Sequence, residues 1–121
     1  METSFKNELL RRLSAPDLTL LQPHLEARHL GLRTHLEQTS VPIDTVDFFE
    51  SGLGLMVAKL RAEVEAEVGL IGFDGMTGAA LVMGEDRSPH DCFVQLKAEA
   101  IAIDARWRIV LMGSPRRNTS D

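Results

Sequence analysis

From about residue 26 onward, turn-forming residues cut the sequence into pieces of roughly ten residues, and this rhythm constrains the fold more than any other feature. The breaks fall at Gly31, Ser40-Val41-Pro42, Ser51-Gly52, Gly69, Gly72 and Asp74-Gly75. Short segments with such regular turns predict a β-sandwich or barrel. Val46–Glu50 carries strand-forming residues, and Leu53–Leu60 is rich in Leu, Met and Val. Residues 91–96 and 100–103 read as two further strands. Ala62–Val68 supports two readings. Its residues favour helix, and Leu60, Val64 and Val68 share a helical face. Its strict alternation with glutamate and the glycine that bounds it favour a half-buried strand.

The first 25 residues follow a different period. Phe5, Leu9, Leu10 and Leu13 recur at helical spacing, which predicts a short amphipathic helix over 4–13. Ser14-Ala15-Pro16-Asp17 then ends it and starts another, with Ser14 as N-cap and Pro16 in the first turn. Leu18, Leu20, Leu21 and Leu25 give that second helix its apolar side. A third short helix is expected in Asp74–Gly84, where two glycines open a run of small residues and another closes it.

At 121 residues, the chain has room for one domain with a real core. With 44% hydrophobic and 26% charged residues its composition is that of a globular protein. No apolar run is long enough to span a bilayer, and the start lacks the apolar stretch of a signal peptide, which points to the cytoplasm. Cys92 is the single cysteine, so an internal disulfide is excluded, and one thiol cannot hold an iron–sulfur cluster. Its place in Asp91-Cys92-Phe93-Val94 reads as a small core residue rather than a redox sensor. The net charge of −5 is uneven: residues 1–60 carry −2, 61–104 carry −6 and 105–121 carry +3. An acidic body is a poor match for a phosphate backbone, so direct DNA binding is not expected. Arg106, Arg108, Arg116 and Arg117 read as part of a solvated tail.

One segment carries chemistry. A glycine turn feeding a short helix leaves backbone N–H groups aimed outward, a setting that favours an anion. Nine residues beyond Gly78 stands Arg87, whose forked donors suit phosphate, followed by the Ser88 hydroxyl.

The order of these parts resembles the N-terminal, cyclic-nucleotide-binding-like domain of Crp/Fnr-type transcription regulators. The resemblance covers roughly residues 5–104. It rests on Asn7–Leu10, Leu20–Glu26, Phe49-Glu50-Ser51-Gly52, Val68–Gly72, Asp74–Gly78 and Arg87-Ser88-Pro89-His90. It implies a mainly β fold, an eight-stranded jelly roll with short flanking helices. The sensor domain would occupy 1–104, with helices at 4–25 and the β-roll at 26–104, and 105–121 would be a truncated or divergent tail. It also implies a ligand cassette on Thr77, Gly78, Ala79, Ala80, Arg87 and Ser88, a cyclic nucleotide (cAMP or cGMP) or another small effector, and no required cofactor. Ala79 departs from the family pattern: it stands where relatives carry a glutamate that accepts from the ribose hydroxyl. That lost contact is worth about 1.5–3 kcal/mol, roughly tenfold to a hundredfold in affinity. The family's dimerisation helix and helix-turn-helix have no counterpart after Asp104, so the expected function is that of a sensor without its own DNA-binding part.

Other functions stay open at this stage. The domain could be an interaction module that forms a homodimer, or a heterodimer with a full-length regulator, or a degenerate relic of one. A cupin-like metalloenzyme would need clustered histidines. His24, His29 and His35 do not repeat on one strand face and His90 lies far off, so neither a metal site nor a catalytic residue is expected. Any of the four could ligate a haem, and the sequence does not decide that point. Trp107 reads as a packing residue.

Overall fold

The structure, a computed structural model, describes residues 5–107 and Val110. Two short helices come first, α1 (Glu8–Arg11) and α2 (Ala15–Leu21). The helix expected over 4–13 is cut short because Asn7 takes the N-cap, its side chain accepting from the amides of Leu9 and Leu10 at 2.9 and 3.1 Å. Ser4 lies outside the described residues. Ser14 caps α2 as expected, accepting from Asp17 N at 3.2 Å. A 3-10 turn, Gln22–His24, then leads into the sheet.

The sheet has five strands: β1 (Glu26–Leu30), β2 (His35–Glu37), β3 (Thr45–Arg61), β4 (Val64–Ile71) and β5 (Asp91–Asp104), all paired antiparallel in the order β1-β5-β3-β4. β2 joins the other end of β5. The separate strands expected at 46–50 and 53–60 are one strand, β3, and those at 91–96 and 100–103 are one strand, β5. The turn signal at Ser51-Gly52 is real, since Gly52 has φ +78°, but it makes a bulge where the pairing register slips instead of ending the strand. Because β3 and β5 both continue through this corner, the described residues form five continuous strands where the resemblance implies eight. Residues 64–68 are strand, as the alternation suggested, but Ala62-Glu63 form the turn of a hairpin and β4 starts only at Val64. That strand is less buried than the alternation implies: Val64 is 38% and Val68 52% exposed, because β4 is an edge strand. The third helix, α3, spans Ala79–Val82 and follows Gly78 in the left-handed region, φ +79°.

Two apolar cores lie on opposite faces of β3. Successive side chains in a strand point to opposite sides. Phe48 therefore joins Leu10, Leu21, Val46, Leu81 and Ile103, while Phe49 joins Leu30, Ile71, Cys92, Val94 and Ala100. The first core lies beneath α1, α2 and α3; the second fills the roll. Asn7, fully buried, ties these parts together by donating to the carbonyls of Phe49 and Gly75 at 2.8 and 2.7 Å. Its own amide donates to the Glu50 carboxylate at 2.7 Å.

Of the expected tail, Ala105–Trp107 forms a 3-10 turn, and Trp107 packs on the first core with its ring 4.3 Å from that of His24. The rest of that stretch, including Arg108, Arg116 and Arg117, lies outside the described residues apart from Val110. No helix among the described residues is long and apolar enough to cross a membrane.

Candidate functional site

Thr77 sets the entry to the α3 segment. Its amide donates to the Asp47 carbonyl at 3.0 Å, and its Oγ1 accepts from the Asp47 amide at 2.9 Å. This pair docks residue 77 onto β3 as a short extra rung, and Thr77 is buried. Gly78 then turns through a left-handed conformation in which a Cβ would stand 3.0 Å from Val46 Cγ2, so the close approach and the positive φ both favour glycine. Ala79 follows at the first, exposed position of α3, and Ala80 and Leu81 face the core.

The strand-like return at 86–88 closes the segment against the loop between β2 and β3. Ile43 N donates to Asp86 O at 2.9 Å, Ser40 N to Ser88 O at 2.8 Å and Ser88 N to Val41 O at 3.3 Å. Arg87 lies on the outside of this ladder, exposed, with Nη1 donating to the Ser40 carbonyl at 2.7 Å. Ser88 turns inward and is buried.

Gly78 and Ser88 meet through Glu37, a residue the sequence reading did not single out. Glu37 ends β2, and its side chain is 3% exposed. One carboxylate oxygen accepts from the Gly78 amide at 2.5 Å and the other from the Ser88 hydroxyl at 2.6 Å. The Ser88 oxygen also lies 2.6 Å from the His90 carbonyl, and its single hydrogen serves one acceptor at a time. His90 Nδ1 stands 3.8 Å from the same carboxylate. The structure thus brings Thr77, Gly78, Ala79, Ala80 and Ser88 to one side of the roll and leaves Arg87 at its rim.

A second buried acid, Asp47, lies on β3. Arg28 Nε is 3.2 Å from its Oδ1, a charge contact whose geometry leaves both atoms without a hydrogen bond, and Arg28 Nη2 donates to Oδ2 at 3.4 Å. Burial raises the Asp47 pKa, and the Arg28 charge offsets part of that. Cys92 lies fully buried in the roll. Burial, with help from the nearby Glu37 and Asp47 carboxylates, pushes its thiol up to about 12 and so keeps it unreactive.

The histidines are dispersed. His24 stacks on Trp107, His29 Nδ1 meets Glu99 at 2.6 Å on the surface, and His35 sits edge-on to Phe93 at 6.0 Å. Among the described residues no group of three His, Cys, Asp or Glu is placed to hold a metal ion.

No family model and no curated protein sequence matches the chain. Solved structures do. The regulatory domain of Toxoplasma gondii PKA, solved with cAMP, superposes with a TM-score of 0.75 at 13% identity, over 95% of this chain and 44% of that one. The Thermus thermophilus catabolite activator protein gives 0.68 at 14% identity, over 91% of this chain and 50% of that one. The N-terminal domain of a transcriptional regulator from Streptomyces coelicolor gives 0.69 at 11% identity, over 96% and 82%. The chain therefore spans about half the length of the first two. The likeness in all three is one of fold: a mainly antiparallel β jelly roll with a few short helices, of the cyclic-nucleotide-binding type.

Proposed function

We propose that this chain is a small-ligand sensor domain of the cyclic-nucleotide-binding class, working within transcription regulation and not in catalysis. Its effector would be a cyclic nucleotide (cAMP or cGMP) or a related small anion. The observation that carries this reading is the joining of the left-handed Gly78, the short helix after it and Arg87-Ser88 into one closed segment on this fold. The phosphate would be held by the Thr77–Ala80 backbone and Arg87, with Ser88 assisting. Arg87 suits that role because it is exposed and uses one of its five donors on a carbonyl. Ala79 offers no acceptor to a ribose hydroxyl, so affinity would be weaker than in a cassette with glutamate there. The partner would be a second regulator chain, as a homodimer or as a heterodimer with a full-length regulator.

Calorimetric titration with cAMP and cGMP, run beside the Arg87→Ala variant, tests the reading. Weak binding of at least one nucleotide is expected in the parent, with a further loss of about tenfold or more in the variant. Equal affinity in the two would overturn the site. Absence of heat from both nucleotides, even where the phosphate seat has been opened as below, would overturn the nucleotide reading.

A further inference from the structure

Glu37 is the least expected group near the cassette. Burying a carboxylate is costly unless its oxygens are satisfied, and here both are, by Gly78 and Ser88. Those partners lie 41 and 51 residues further along the chain. A glutamine could tie the same three points together through its own oxygen and amide, without bringing a charge into the interior. A carboxylate additionally places a negative charge where two donors converge.

The two donors it occupies are among those the proposed function gives to the effector's phosphate. Arg87, the cation of the cassette, donates to Ser40 and makes no ion pair with Glu37; the basic group beside the carboxylate is His90 at 3.8 Å. We propose that Glu37 is an internal stand-in for the effector's anion. It holds the segment shut when no effector is present, so that an anionic ligand enters only by displacing it. This inference rests on the sensor reading above and adds its regulation. Two anions cannot share the seat, because like charges brought together there repel. Glu37 therefore sets the threshold for anion binding.

The local architecture lets the carboxylate leave. β2 is three residues long and is held to β5 at His35↔Phe93 and Glu37↔Cys92, with a register slip between the two pairs. Beside it, between His35 and Asp44, opens a cleft of about 230 Å³. Once Glu37 swings away, the Gly78 amide is freed, the Ser88 hydroxyl is left with the His90 carbonyl as its acceptor, and Arg87 stands at the rim to meet the incoming charge.

The test follows the Gly78 amide by NMR in the parent chain, Glu37→Ala and Glu37→Gln, with inorganic phosphate and then cAMP as probes. In the parent the resonance should lie downfield, as for an amide bonded to a carboxylate, and should not move with millimolar phosphate. In Glu37→Ala it should start upfield and return downfield saturably as phosphate is added. The cAMP affinity of that variant should be about tenfold or more tighter than the parent's. If the parent amide responds to phosphate as strongly as the variant's, or the Glu37→Ala amide responds to neither probe, the inference is overturned. Phosphate uptake by the variant without cAMP binding would uphold the guarded seat and reject the cyclic-nucleotide reading. Equal cAMP affinity in parent and variant would do the reverse. Should Glu37→Ala not give a folded spectrum, Glu37→Gln decides alone: it keeps the contacts and removes the charge, so a smaller phosphate response supports the inference and none rejects it.

Discussion

Phe48 and Phe49 are neighbours in sequence and equally buried, yet they belong to different parts of the molecule. Phe48 packs with Leu10 and Leu21 of the helices and Leu81 of α3. Phe49 packs with Leu30, Ile71, Cys92 and Val94, all from strands of the roll. The face with Phe48 is built from three short helices held by caps and loops. The face with Phe49 is built from strands whose hydrogen bonds run through the sheet. A change at the segment 77–88 should thus be felt first by the helix-side core, because Leu81 is part of both. The roll core includes no residue of that segment.

The strongest way to break this comparison is to empty each core in turn. Phe48→Ala and Phe49→Ala should each cost about 3–5 kcal/mol, a large share of the stability of a domain this size. The two should differ in where the damage shows. Hydrogen exchange at the amides of Leu81 and Ser88 should accelerate in Phe48→Ala beyond what its global stability explains. In Phe49→Ala these amides should follow global unfolding. The milder Phe48→Leu and Phe49→Leu pair gives the same contrast if the alanine variants unfold. Identical exchange patterns would show that the two cores act as one.

The same division decides what could be read from the sequence. Local features were legible: Ser14 caps α2, a short helix does follow the glycines at 75 and 78, and the alternation after Arg61 does mark a strand. Each of these is decided within a few residues of itself. The continuity of β3 and β5 was not legible, because a bulge and a chain reversal leave the same local signal and only the pairing partner distinguishes them. Asn7 carries the residue type of an N-cap, but its bonds to Phe49 and Gly75 depend on segments 42 and 68 residues away. Glu37 gave no signal at all. A glutamate in a short polar strand looks solvated, and nothing nearby in sequence announces the two donors that bury it.

Two glycines sharpen the contrast between the corner of the sheet and the end of α3. Gly52 and Gly84 both have positive φ, +78° and +90°. An alanine at either position pays the left-handed cost, about 1–2 kcal/mol. At Gly84 nothing lies within 4 Å of the added methyl, so Gly84→Ala should stop at that figure. At Gly52 the methyl would stand 2.4 Å from the Lys97 carbonyl oxygen and 2.6 Å from Ala98 Cα, both backbone atoms of β5. Gly52→Ala should therefore cost about 1–3 kcal/mol more, as a strand is forced aside at the corner. Denaturant midpoints measure the gap, and equal costs would mean that the corner yields easily.

The smallest effect separates an aspartate inside the fold from one on its surface, and it is read in pH. Asp47 is buried and its pKa is raised above the ordinary 3.8 by desolvation, with Arg28 working the other way. Asp91 has its pKa lowered below 3.8, chiefly because it accepts from the Thr39 amide at 2.8 Å, with the Thr39 hydroxyl and Lys59 adding to that. For Asp47 the folded state holds its proton longer than the unfolded one. Stability therefore falls as pH rises from 3.8 through the raised folded value, and the cost is complete above it. For Asp91 the stabilisation is complete above 3.8 and fades as pH falls through the lowered value. Unfolding curves across the acid range should then move in opposite senses. Relative to the parent, Asp47→Asn should gain with rising pH in a window above 3.8, while Asp91→Asn should lose with rising pH in a window below it. Arg28 keeps access to water, 38% of its side chain being exposed, so the Asp47 variant does not strand a buried charge. Parallel curves for the two variants would mean that Asp47 is hydrated in solution and that the face of β3 around it opens more readily than its packing suggests.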